Sequence, residues 1–244
     1  SVKLGWRRKP LVTPEPTFEP GAWADLTWDA QQDISYDGIL RCYEEAKELL
    51  GGYSIDLVSV HDPDEYLAAN GKREDVLGAY RALFELKAKG EVKGVGIGSK
   101  DWTVIRDLAT DVPFDWTMFA CAPTILRHPP ELLDFIAGLA AKGVTVIDSA
   151  VFNGGFLTGG NLLDYRPADP VADARLFAVR DAYLKLCAKY ALDPAAVAVE
   201  YALRLPGVKR VALNTSKPER VAVNAAYGMH CSPEEFWKEL KEIL

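Results

Sequence analysis

No Cys-x-x-Cys pair, no Gly-x-Gly-x-x-Gly turn and no apolar run of membrane-spanning length occurs in this 244-residue sequence. Each absence excludes something. The four cysteines, Cys42, Cys121, Cys187 and Cys231, are scattered along the chain. That spacing points to buried free thiols in a reducing, cytoplasmic setting rather than to a disulfide framework. There are only three histidines, none beside a cysteine pair, so no metal site is expected. Without roughly 18–20 consecutive apolar residues there is no candidate bilayer helix. Arg7, Arg8 and Lys9 lead into a proline-rich stretch rather than the apolar core of a signal peptide. A net charge of −7 and a pI near 5.1 argue against nucleic-acid or anionic-membrane partners.

What is present is an ordinary globular balance, 49% hydrophobic and 26% charged, with length enough for a core that needs no covalent staple. Pro10, Pro14, Pro16 and Pro20 break any helix, so Leu11–Gln32, with Phe18, Trp23 and Trp28, reads as a long loop and a candidate cover for a site. A helix follows over Tyr36–Leu50, ended by Gly51 and Gly52. Then strands and helices alternate. Strands are expected at Ser54–Val60, Val92–Gly98, Phe114–Ala120, Val144–Ser149 and Val208–Leu213, and a further one at Ser1–Leu4. Helices are expected at Arg73–Lys89, Trp102–Thr110, Pro130–Lys142, Val171–Tyr190, Pro194–Leu205, Pro218–Tyr227 and Pro233–Ile243.

Single helices between short apolar strands mean parallel pairing by crossover. With no phosphate-binding glycine turn after the first strand, a barrel fits better than an open doubly wound sheet. The expectation is one α/β domain over residues 1–244, built as a (β/α) barrel that falls short of eight strands at its N-terminal end. Functional residues then belong just past the strand ends. There the sequence places His61-Asp62-Pro63-Asp64, Gly98-Ser99-Lys100-Asp101, Cys121-Ala122-Pro123-Thr124, Asp148-Ser149 with Phe152-Asn153-Gly154-Gly155, and Asn214-Thr215-Ser216-Lys217. His61 is the sharpest of these. A histidine at a strand end can hydrogen-bond a carbonyl or shuttle a proton near neutral pH; the competing role is a structural cap bonded to Asp62 or Asp64.

The stretch Ile55–Asp64 (IDLVSVHDPD) resembles the segment of the aldo-keto reductase family that ends in its catalytic histidine, and is most similar to the branch of sugar 1-dehydrogenases acting on fucose, galactose or threo-aldoses. Ala79–Ser99, Phe152–Gly160 (FNGGFLTGG) and Thr215–Asn224 (TSKPERVAVN) are similar to further family segments in the same order. Ser1–Gly5 resembles the strand that carries a catalytic lysine.

The resemblance implies a TIM barrel lacking its first two strands in this chain, and an oxidoreductase that passes a hydride between NADP or NAD, with a lean to NADP, and a sugar or small aldehyde. By the same resemblance His61 would orient the substrate oxygen, and Lys3 would lower the pKa of a tyrosine. Ser99 and Lys100 would meet the nicotinamide carboxamide, although Lys100 stands where the family commonly has asparagine. Phe152, Asn153, Gly154 and Leu157 would lie along the pyrophosphate. Thr215, Ser216, Arg220 and Asn224 would hold the adenosine half, with Lys217 and Arg220 placed to meet a 2′-phosphate. Asn214 stands where many members have lysine. Pro123 replaces a ring-stacking side chain. The family's aspartate and tyrosine have no counterpart here, since neither Tyr36 nor Tyr53 matches the position.

Two alternatives stand beside this reading. One is a truncated, non-catalytic barrel that binds a cofactor or partner without turnover. The other is an isomerase-like barrel using His61 with Asp62 or Asp148. The intact mass of the expressed protein separates the first alternative from the enzyme. A mass near 26.8 kDa counts against a complete enzyme, and a mass several kilodaltons larger indicates an upstream part.

Overall fold

The computed structural model describes residues 1–18 and 25–244, so Pro20 and Trp23 of the expected loop lie outside the described residues. The chain divides into two compact units, Ser1–Trp116 and Thr117–Leu244.

In the first unit, β1 (Val2–Leu4) is the strand expected at the N-terminus. It is followed by β2 (Trp6–Pro10) and β3 (Trp28–Gln32), which pair as an antiparallel hairpin from Trp6↔Gln32 to Pro10↔Trp28. This corrects the reading of Leu11–Gln32 as loop throughout. Pro10 ends one strand, where a missing N–H costs nothing, and Trp28 begins the other. The pieces are pinned by Asp29. Its buried carboxylate accepts from the Thr17 hydroxyl and from the backbone N–H groups of Thr17 and Phe18. Those bonds, the Thr17 hydroxyl first, hold the carboxyl well below the usual range. Trp6 packs on Phe18, with ring centroids 4.5 Å apart.

Helix α1 (Tyr36–Leu50) is capped by Ser35, whose hydroxyl accepts from the Gly38 N–H, and it buries Ile39, Cys42 and Tyr43. It leads to β4 (Leu57–His61), the short α2 (Pro63–Ala68), α3 (Arg73–Ala88), β5 (Gly94–Ser99) and α4 (Trp102–Leu108). The sheet order is β1-β4-β5, with both pairs parallel. Strand β5 is buried at every position and reads GVGIGS. Its glycines make room: the indole of Trp116 lies where a Cβ on Gly96 would project.

Strand β6 (Trp116–Ala120) starts at the last residue of the first unit and runs into the second, where α5 (Pro130–Ala141) and β7 (Thr145–Ser149) precede a 3₁₀ turn at Asn153–Thr158. A two-residue pair follows, β8 (Leu162–Leu163) and β9 (Arg166–Pro167), then α6 (Ala174–Lys189), α7 (Pro194–Arg204), β10 (Val208–Ala212), α8 (Arg220–Tyr227) and α9 (Glu234–Ile243). The strands run β6-β7-β10, and β10 is parallel to β7. Helices α6, α7 and α9 enclose an apolar core of Leu157, Tyr183, Leu186, Val197, Phe236 and Leu240. Cys42, Cys121 and Cys187 are buried thiols, but Cys231 is exposed, which corrects the expectation for that cysteine. Among the described residues no helix is long and apolar enough to cross a membrane.

Gly96→Ala tests the close approach in β5. The added methyl collides with the Trp116 ring and carbonyl inside a buried strand, so chemical denaturation should show a loss of about 1–3 kcal/mol. An unchanged midpoint would mean that Trp116 is free to move.

Candidate active site

In the first unit the strand register sets the site. Lys3 lies across from Ser59, and His61 across from Gly98. Side chains alternate along a strand, and paired residues in parallel strands share a face. Lys3, Ser59 and His61 therefore leave the sheet on one side, while Leu4, Val58 and Val60 are buried on the other. His61, with a side chain 32% exposed, places Nε2 3.4 Å from Asp62 Oδ2. Lys3 is exposed. The Ser59 hydroxyl between them is buried and has no hydrogen-bond partner among the described residues.

Asp62 turns the chain from β4 into α2 with a φ of 45°, a left-handed conformation that aspartate tolerates better than most residues. Asp64, named from the sequence only as a group past the strand end and a bonding partner of His61, lies in the first turn of α2. One of its oxygens is buried without a partner, and the other accepts weakly from the Asp101 N–H at 3.4 Å. Burial raises its pKa, nearby Asp62 adds to this, and the Ser99 hydroxyl opposes it. The acidic run Asp62-Pro63-Asp64-Glu65 directly after His61 was the signal for it. Ser99 is buried, and its hydroxyl folds back on Asp101, accepting from that N–H and donating to that carbonyl, both at 3.0 Å. Lys100 extends to Glu65, with Nζ 2.6 Å from Oε1.

In the second unit two segments leave the carboxyl ends of neighbouring strands, since β10 pairs with β7 through Ala212↔Ser149. After β7, Asn153 is fully buried. Its amide donates to Cys121 O at 3.2 Å and to Asp164 Oδ1 at 2.9 Å, while its own Oδ1 has no partner among the described residues. Gly154 has φ 72° and Gly155 φ 93°. A Cβ on Gly154 would lie 3.0 Å from Leu162 O, so a side chain there would be crowded as well as strained by the positive φ. Phe152 packs against two core clusters, and Leu157 is fully buried in one of them. The Leu157 side chain is thus committed to the core, and only the backbone at that position can face a ligand. After β10, the Thr215 hydroxyl accepts from the Lys217 N–H at 3.1 Å. Ser216, Lys217 and Arg220 are exposed, and Asn224 is half-buried. Helix α8 buries none of its residues. Neither Lys217 nor Arg220 makes a side-chain ion pair among the described residues.

Asp148, on β7, is fully buried, and both carboxylate oxygens lack a hydrogen-bond partner among the described residues. Burial pushes its pKa well above the ordinary range. The nearby Ser149 N–H opposes that shift without satisfying either oxygen. Tyr201 is pushed up to about 12, by burial first and by Asp148 second.

The family model described as the aldo/keto reductase family matches residues 24–244. Pyridoxal 4-dehydrogenase from Microbacterium luteolum is 29% identical over 96% of this chain and 70% of its own length. D-threo-aldose 1-dehydrogenase from a Pseudomonas species is 26% identical over 86% of this chain and 63% of its own length. Among solved structures, an aldo-keto reductase from Bacillus halodurans in its holo form superposes with a TM-score of 0.65 at 21% identity, covering 86% of this chain and 68% of that one. A glycerol dehydrogenase from Gluconobacter oxydans gives 0.66 at 18% identity, covering 99% of this chain and 70% of that one. These likenesses show the fold, the α/β TIM barrel.

Asp148→Asn tests the buried carboxyl. A raised folded-state pKa contributes stability that is complete below the unfolded value, near 4, and is lost as pH rises toward the folded value. The parent should therefore lose stability above pH 4 with a slope approaching about 1.4 kcal/mol per pH unit relative to the variant. The two should converge at acid pH. Parallel stability curves from pH 4 to pH 8 would show that Asp148 finds a partner.

Proposed function

Because this chain belongs to the aldo/keto reductase family, we propose that it provides the cofactor-binding and oxygen-orienting part of a nicotinamide-dependent oxidoreductase acting on an aldose or small aldehyde. The observation that carries this is the shared face of Lys3, Ser59 and His61 at the carboxyl end of β4. His61 orients the substrate oxygen through its imidazole, and the Asp62 carboxylate, 3.4 Å from Nε2, holds the ring in place. Lys3 supplies the positive charge that favours phenolate over phenol in a tyrosine presented to this face.

The residues of the second unit suit a dinucleotide. Asn153 keeps a buried, unpartnered Oδ1. The Gly154-Gly155 turn lets backbone approach a pyrophosphate. Arg220 and Lys217, which make no side-chain ion pair among the described residues, offer charge to a 2′-phosphate, which leans the reading toward NADP over NAD. Thr215, Ser216 and Asn224 offer hydroxyl and amide groups to the adenosine. Ser99, whose hydroxyl accepts from the Asp101 N–H, offers its remaining hydrogen-bonding capacity to the nicotinamide carboxamide. Lys100, tied to Glu65, offers only its charge to the nicotinamide carboxamide. The nicotinamide supplies the hydride; the chain supplies position and electrostatics. The three buried thiols accord with a reducing, cytoplasmic compartment.

The test is absorbance at 340 nm, on the full-length protein, with NADP+ and NAD+ against aldoses, small aldehydes or their alcohols, and pyridoxal, the last because one relative is a pyridoxal 4-dehydrogenase. His61→Ala should lower kcat/KM by about 10²–10⁴ with little change in cofactor KM. Arg220→Ala should raise the KM for NADP+ about tenfold and leave that for NAD+ nearly unchanged. No nicotinamide-dependent signal with any substrate, or a His61→Ala variant as active as the parent, would sink the assignment.

A further inference from the structure

A cavity of about 400 Å³ lies in the second unit, between the loop that follows β6 and the start of α6. It plays no part in the role proposed above. Its apolar wall is made by Ile125, Leu126, Leu176 and Val179. Arg127, Arg175 and His128 supply its polar side chains, Pro129 and Leu244 complete the lining, and no acidic side chain is among them.

Each polar group has capacity left over. The Arg127 guanidinium spends Nε on Asp164, at 3.0 Å. Its two terminal nitrogens make no hydrogen bond among the described residues, and they form the fork that accepts a carboxylate through two parallel bonds. Arg175 is exposed and makes no ion pair among the described residues. Asp173, two residues earlier, is already committed to a two-point bridge with Arg166. The His128 ring meets the Thr124 carbonyl through Nδ1 at 2.9 Å, so that nitrogen holds the proton and Nε2 is left over. In a chain of net charge −7, two arginines with unspent donors beside an apolar wall form a local exception to the overall field.

We propose that this cavity binds a small organic carboxylate with an apolar body. The body would lie against Ile125, Leu126, Leu176 and Val179, and the carboxylate would sit between Arg127 and Arg175. The volume falls in the range typical of small-molecule sites, where mostly apolar walls carry a few convergent polar groups. The lining contains no glycine, so it offers no open backbone cradle of the kind that phosphate groups favour. That separates this site from the glycine turn at Gly154-Gly155.

The experiment is isothermal titration of the full chain with 3-phenylpropanoate, its uncharged amide, and inorganic phosphate. The parent should bind the carboxylate saturably with a Kd below about 1 mM. The amide should bind at least about tenfold more weakly, as expected when a charge-assisted contact is lost. Arg175→Glu, at an exposed position that leaves packing intact, should weaken the carboxylate at least about tenfold. Val179→Trp, which fills the cavity, should abolish binding. If that variant does not fold, Arg175→Glu decides alone. Excess NADP+ should leave the carboxylate isotherm unchanged, which keeps this result independent of the assignment at His61. The proposal is overturned by any of four results: no saturation up to about 10 mM, an amide as tight as the acid, an Arg175→Glu variant equal to the parent, or displacement by phosphate at equal concentration.

Discussion

Val58 and Val60 are fully buried on one face of β4, and that burial decides which way Ser59 and His61 point. A strand with a two-residue period cannot slip by one position without turning its valines out of the core. Pairing with β1 and β5 extends the constraint sideways. Leu4 and Ile97 share the buried face with Val60, and Lys3 shares the opposite face with Ser59 and His61. The geometry of the first unit's candidate site is thus a consequence of packing on the far side of the sheet. The glycines of β5 are part of the same arrangement, because Trp116 occupies the space a side chain at Gly96 would need.

The second unit works by a different means. Its candidate ligand groups sit in loops, and each loop is held by a short list of hydrogen bonds. Asn153 is the centre of one: its amide ties the carboxyl end of β6, through Cys121 O, to Asp164 in the β8–β9 turn. Asp164 in turn meets Arg127. The 3₁₀ turn is anchored from below by Phe156 and Leu157, which are core residues. The segment after β10 has far less holding it, since α8 buries nothing. Asp148 is one of several buried polar groups left unpaired among the described residues, with the Tyr80 hydroxyl and the Trp237 indole N–H. Two carboxylate oxygens are buried unpaired beside Tyr201, and no feature of the structure accounts for it.

Much of this was legible in the residues. Helix α1 was read to its boundaries, because Ile39, Leu40 and Tyr43 recur at helical spacing and Gly51 stops it. The five main strands and the short one at Val2–Leu4 were found from apolar runs between turn signals. The hairpin of β2 and β3 was missed because WRRKP and WDAQQ are polar and one ends in proline. Only the cross-strand pairing and the Asp29 anchor make them strands. Strand β4 was placed three residues early, because Ser54-Ile55-Asp56 reads as extended and local pattern does not tell where a partner strand begins. Cys231 was read as buried from residue type alone, and type does not fix exposure near a chain end.

By itself the sequence determined the α/β order, the parallel crossovers and the identity of the groups at strand ends. Those follow from periodicity and from punctuation by glycine and proline, which are local properties. Only the tertiary structure decided that Lys3 and His61 share a face, that Leu157 is spent on the core, that the Ser99 hydroxyl is turned onto Asp101, and that one buried oxygen of Asp64 has no hydrogen-bond partner among the described residues. Each of those depends on contacts between residues far apart in the chain or on the conformation of a turn. Neither register nor side-chain partnership is encoded in any local stretch.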